Sequence, residues 1–132
     1  MRPIGFSTGA LARGDFRRAL DLLEQHRITV VELSALRIEE LEPLAAAIPD
    51  LDLTSFSFVS VHAPSRFERS SGSWVVRQLV APAERGYPIV SHPDVIFTAD
   101  LWAELGDKLL IENMDNRKAS GRNVDEMQPV FE

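Results

Sequence analysis

The feature that most constrains this chain is a strict alternation between short strand-like runs and segments of helical periodicity. PIGFST at 3–8 is a short apolar run closed by Gly9. Asp15 then precedes a helix whose apolar residues Phe16, Ala19, Leu20 and Leu23 fall at helical spacing. That helix ends in His26 and Arg27, cations at the negative end of the macrodipole. TVVELSA at 29–35 is a β-branched run, and Ile38, Leu41, Leu44, Ala45 and Ile48 mark the next helix, which Pro43 should kink or restart. FSFVSVHA at 56–63 follows, then a weaker helix from Trp74 to Val80 that Pro82 should cut. YPIVSHP at 87–93 is the fourth strand-like run. Thr98 or Asp100 opens a short helix ended by Gly106, KLLIENM at 108–114 is the fifth run, and a last helix begins near Val124. The pattern predicts parallel strands near 4–8, 29–34, 57–62, 88–92 and 109–113.

Alternation of this kind specifies an α/β fold with a parallel sheet. Two architectures satisfy it. An open doubly wound sheet needs only five strands, whereas a closed barrel needs eight and about 250 residues. Against the open sheet, STGALARG after the first run has neither the G-x-G-x-x-G nor the P-loop spacing. Alternation alone leaves both open. At 132 residues, 45% of them hydrophobic, the chain is one domain at most, with no internal repeat or linker. The absence of cysteine excludes disulfides, thiolate metal sites and cysteine nucleophiles. No apolar run reaches the roughly 18–20 residues of a membrane span, and no signal pattern opens the chain, so the expected setting is cytoplasmic. A net charge of −6 argues against nucleic-acid or membrane partners.

The chemistry narrows the choice. Two of the three histidines close strand-like runs, in V-H-A-P at 61–64 and S-H-P-D at 91–94, and the next run carries I-E-N-M-D at 111–115. In a parallel barrel the carboxyl ends of the strands converge on one face, where catalytic groups sit. Two imidazoles and a carboxylate from consecutive strands suit zinc or manganese and leave coordination positions open. The candidate ligands are therefore His62, His92 and Glu112. Taken singly, each has an ordinary structural reading: a strand-end histidine as a hydrogen-bonded residue, Glu112 as a partner for Lys108 or Arg117. His26, at a surface helix end, is assigned no role.

The ordered set VELSA, VHAP, SHPD and IENMD resembles the xylose-isomerase-like TIM-barrel superfamily, which groups sugar isomerases and epimerases, inosose dehydratases and abasic-site nucleases of the endonuclease IV type. The resemblance runs from Ile4 to the last residue. It implies the first five β/α units, in sequential parallel order, of an incomplete (β/α)8 TIM barrel, with residues 1–132 as its N-terminal portion and three units absent. It also implies metal-ligand roles for His62, His92 and Glu112, with Glu112 doubling as a catalytic acid/base. Glu32, in the second-run VEL, matches a position facing the barrel interior, where it would support the site or touch substrate. The family's ligands from strands six to eight have no counterpart, so the chain is expected to be a fragment or a degenerate half, with an open edge prone to self-association.

Arg66 and Arg69 follow the third run, and Arg117, Lys118 and Arg122 follow the fifth, five of the fourteen basic residues in an acidic protein. A cationic rim on the ligand-bearing face suits a small anionic or polyol substrate, with Arg66 and Arg117 as binding residues. Ser120-Gly121 reads as a lid hinge. Three functions follow in order: a metal-dependent isomerase or epimerase on a sugar, sugar phosphate or polyol; an endonuclease IV-type phosphodiesterase acting on DNA; and an inactive remnant.

Overall fold

The computed structural model describes residues 2–131. Five strands form one all-parallel sheet in the order β1-β2-β3-β4-β5: β1 Phe6–Ser7, β2 Val30–Ser34, β3 Phe58–His62, β4 Ile89–Ser91 and β5 Leu109–Ile111. Helices alternate with them: α1 Thr8–Ala12, α2 Phe16–Gln25, α3 Ile38–Ala47, α4 Gly72–Glu84, α5 Ala99–Trp102 and α6 Val124–Phe131. The sequential order differs from the 3-2-1-4-5 order of a doubly wound dinucleotide-binding sheet. No helix among the described residues is long and apolar enough to cross a membrane.

Period-two alternation sorts the strand residues onto two faces. Val31, Leu33 and Ala35, with Val59, Val61 and Ala63, share one core cluster with Leu20 and Leu23 of α2, Leu41 and Leu44 of α3, and Val75, Val76 and Leu79 of α4. A fully buried leucine of this kind contributes roughly 2 kcal/mol. The residues of opposite parity include the polar ones, Glu32, Ser34, Ser60 and His62, beside the apolar Val30, Phe58, Val90 and Leu110. Ser7, Glu32 and Ser60 share one register row, and Ser34 and His62 pair in the next, continued by Val90 and Leu110. One face of the sheet is thus the hydrophobic core and the other carries the chemistry.

Several elements depart from the sequence expectation. The first strand is two residues long, because Thr8 turns straight into α1. The Thr8 hydroxyl accepts a hydrogen bond from the Ser34 amide at 2.9 Å, which fixes that turn against β2. Pro43 neither breaks nor restarts α3, which is continuous from Ile38 to Ala47. Its missing N–H frees the carbonyl of Glu39, which lies on the exposed side of the helix. Pro82 does not cut α4 either; the helix runs on to Glu84. The Asp15 cap is present, its carboxylate accepting from the Arg18 amide at 3.0 Å.

What ends α4 is a glycine. Gly86 has φ 92, its amide bonds the Ala83 carbonyl at 2.8 Å, and the Tyr87 amide bonds the Pro82 carbonyl at 3.2 Å. This is a Schellman closure. Helix α2 closes the same way, with Arg27 amide to Glu24 carbonyl at 3.0 Å and Ile28 amide to Leu23 carbonyl at 2.9 Å. There the left-handed position holds Arg27, at φ 54. A side chain in that conformation costs about 1 kcal/mol relative to glycine. Arg27→Gly should therefore raise the urea midpoint, equivalent to about 1 kcal/mol of stability, with the m-value unchanged. Gly86→Ala should shift it the other way by a similar amount. Equal midpoints for all three proteins would rule out strain at Arg27.

Candidate metal centre

The parallel ladder continues past the strand ends and pins the three candidate ligands. The His62 carbonyl accepts from the Ala35 amide at 3.1 Å, and the Glu112 amide donates to the Ser91 carbonyl at 2.9 Å. His62 is 6% exposed at the end of β3. His92 follows β4 directly, at the entrance to a 3-10 turn over Pro93–Val95. Glu112 follows β5.

The three side chains converge. Nε2 of His62 lies 3.1 Å from Oε2 of Glu112, and Nε2 of His92 lies 3.2 Å from the same oxygen. The imidazoles meet edge to face, with centroids 5.1 Å apart and planes at 86°. One donor atom from each residue lies within 4.8 Å of the others, so the group could hold a metal ion. Ligands of a common zinc ion, at bond lengths of about 2.0–2.2 Å, sit roughly 3–3.5 Å apart, which the two Glu112 distances match.

The hydrogen bonding at His62 bears on that fit. Its Nδ1 is 2.7 Å from the Ala63 carbonyl oxygen, which can only accept, so Nδ1 carries the proton. In the neutral ring Nε2 then presents a lone pair to a carboxylate oxygen. Two acceptors at that distance repel unless a proton or a metal ion lies between them. Burial, reinforced by His62 as a charged neighbour, pushes His92 below the ordinary histidine range against the opposing pull of Glu112. The neutral ring is the form that binds metal. The donor set therefore fits a divalent ion.

Glu112 pairs with neither of the lysine and arginine partners considered from sequence. Lys108 lies 3.7 Å from Asp107, and Arg117 is held by Asp115 through its backbone amide and its guanidinium. That arrangement holds the Asp115 carboxyl down at about 2.

Beside the ligands is a cavity of about 560 Å³ lined by Arg66, His92, Glu112, Asn113, Met114, Asp115, Arg117 and Lys118. Arg66 and Arg117 thus reach the same space as two of the ligands. The expected cationic rim is largely neutralised, however. Arg117 faces Asp115, Lys118 lies 3.2 Å from Asp94, and Arg122 is clamped by Glu126. Arg69 stacks on Phe97 at 5.5 Å. Among the described residues Arg66 is the basic group at the cavity with no carboxylate partner. Gly121 is closely packed at φ 78: a Cβ there would fall 2.4 Å from Pro93 Cγ, and its carbonyl accepts from the Met114 amide at 2.7 Å.

Glu32 does not line the cavity. It lies one register row below His62, on the same sheet face, between Ser7 and Ser60. Asp94 is the residue the sequence reading left without a role, although it stands in the SHPD segment. A contact 24 residues away, to Lys118, and a 3.9 Å approach to His92 distinguish it from an ordinary turn aspartate. Comparison with known proteins returned no matching family model, no matching curated protein and no matching solved structure.

Burial raises the Glu32 carboxyl above its ordinary value of 4.5, with the His62 charge and the Ser34 and Ser7 hydroxyls opposing and Glu112 reinforcing. A raised folded-state pKa means the folded protein holds more protons than the unfolded chain across that interval. Stability linked to Glu32 is full below the unfolded value and is lost as pH rises through the folded one. Glu32→Gln should therefore raise the melting temperature at pH 7 relative to wild type and flatten its dependence between about pH 4 and pH 7. A variant whose melting profile runs parallel to wild type across that range would refute the assignment.

Proposed function

We propose that the chain contributes the first five units of a (β/α)8 barrel and that His62, His92 and Glu112 hold a zinc or manganese ion in an isomerase or epimerase acting on a sugar, sugar phosphate or related polyol. The observation carrying this reading is the convergence of two imidazole nitrogens on a single Glu112 oxygen, at 3.1 and 3.2 Å, at the carboxyl ends of three neighbouring parallel strands. The sequential strand order and the one-sided hydrophobic core support the barrel.

A bound divalent ion supplies Lewis-acid polarisation of a substrate carbonyl or hydroxyl. The protein supplies the rest. Oε2 of Glu112 faces the imidazoles, while the side chain is 44% exposed toward the cavity, leaving Oε1 to take a proton from a substrate carbon and return it. Arg66, uncompensated at the cavity wall, fixes an anionic group of the substrate and so orients the carbon toward Glu112. A phosphodiesterase of the endonuclease IV type ranks second. A DNA backbone demands several free cations, and Arg117, Lys118 and Arg122 are each engaged by a carboxylate.

Calorimetric titration of zinc and manganese tests the centre. His62→Ala and Glu112→Ala should each weaken binding at least tenfold while leaving the far-ultraviolet spectrum unchanged. With metal present, proton exchange from D2O into sugar phosphates, followed by NMR, should depend on Glu112 and stop in Glu112→Gln. Unaltered metal binding in both alanine variants would end the metal reading and the isomerase reading with it.

The polar sheet face also carries exposed apolar side chains, Phe58 at 48% and Leu110 at 46%, and β1 and β5 form the two edges of the sheet. Uncovered parallel edges and apolar inner residues favour association. Light scattering of this chain should show a mass that rises with concentration. A constant monomer mass would count against the open-edge reading.

A further inference from the structure

The two imidazoles of the candidate centre are oriented differently. His62 has its outer nitrogen satisfied, with Nδ1 donating to the Ala63 carbonyl at 2.7 Å. Nδ1 of His92 is buried and has no hydrogen-bond partner. Burying a ring nitrogen without a partner is unfavourable, and native interiors rarely tolerate it. Oδ1 of Asp94 lies 3.9 Å from it. That separation exceeds a hydrogen bond by about 1 Å, so the bond requires the aspartate side chain to turn toward the ring.

The rest of Asp94 is arranged for that contact. Its other oxygen, Oδ2, accepts from Lys118 Nζ at 3.2 Å. Lys118 comes from the loop after β5, so the ion pair ties that loop to the turn after β4. With Oδ2 committed to the lysine, Oδ1 is the oxygen turned toward the imidazole. On the far side of the ring, Nε2 faces Glu112 at 3.2 Å. The imidazole of His92 thus stands between two carboxylates, Asp94 nearest Nδ1 and Glu112 nearest Nε2.

We propose that Lys118, Asp94 and His92 form a positioning relay: Asp94 accepts the Nδ1 proton of His92, and Lys118 holds Asp94 in place. This rests on the metal reading of the site. The hydrogen bond selects the tautomer whose Nε2 lone pair points at the ion, and the carboxylate makes that nitrogen a stronger donor. Asp94 and Lys118 are positioning residues, since neither is among the ligands. His62 receives the same service from a backbone carbonyl, so the two imidazoles of one centre are oriented by two different devices.

The test uses the whole chain, zinc alone as the probe, and NMR of the His92 ring nitrogens in the metal-free protein. Metal-free wild type should show His92 as the Nδ1–H tautomer, and Asp94→Ala should show a mixture of tautomers. By calorimetry, Asp94→Ala should bind zinc about tenfold to a hundredfold more weakly. Asp94→Asn, whose side-chain carbonyl still accepts, should recover part of that loss, and Lys118→Met should fall between wild type and Asp94→Ala. If Asp94→Ala does not fold, Asp94→Asn and Lys118→Met carry the same comparison. An unchanged His92 tautomer, or zinc affinity within twofold of wild type, overturns the relay. Failure of wild type to bind zinc overturns the metal reading instead, and the tautomer alone then decides whether Asp94 holds the ring.

Discussion

Everything functional in this molecule hangs on the register of the parallel ladder from β2 to β5. Ser34 pairs with His62, His62 with Val90, and Ser91 with Ile111, so Glu112 stands next to His92 across the sheet. A slip of one residue in β3 would carry His62 to the helix-covered face and bring Val61 to the polar one. The hydrophobic core forbids that slip. Val59, Val61 and Ala63 are buried against the helices, and a slip by one residue would turn all three to the other face. The energy that fixes the candidate centre is thus hydrophobic, although the centre itself is polar.

The polar face is where the fold carries cost. Glu32, His62 and His92 are all partly or wholly removed from water within a short distance of one another, and burial pushes Glu32 up and His92 down. Each shift favours the neutral form. The partners that offset this are modest: the Ser7 and Ser34 hydroxyls near Glu32, and the Ala63 carbonyl on His62. A sheet selected only for stability would fill those positions with valine or isoleucine, as its opposite face does. Two imidazoles and a carboxylate in contact are retained there instead, the kind of costly cluster that gathers at functional sites.

The strand pattern was legible in the sequence because β-branched runs and helical periodicity are local properties. Helix ends were less so. Pro43 read as a kink or restart and Pro82 as a break, yet both helices continue: Pro43 lies on the solvated face of α3, and Pro82 is itself packed among the buried residues of α4. Arg27 closing α2 is invisible locally, since nothing in the sequence separates a left-handed arginine from an ordinary one. The convergence of His62, His92 and Glu112 was legible because histidine at two successive strand ends is rare. The neutralised rim was not: Lys118 and Asp94 are 24 residues apart, and their pairing depends on how two loops cross.

That neutralisation changes what the cavity selects. Five loop cations taken together suggest a broad positive rim suited to any polyanion. With Arg117, Lys118 and Arg122 each matched to a carboxylate, the field near the ligands reduces to Arg66 against the charge of Glu112. A single uncompensated guanidinium suits one anionic group, held bidentate and directionally. On the proposed function, such a site would discriminate among small monoanionic or monophosphorylated substrates by length, from the group held at Arg66 to the carbon presented to Glu112. The same pairings that weaken long-range attraction hold the loop side chains in place, so on the proposed function specificity would come from position more than from charge.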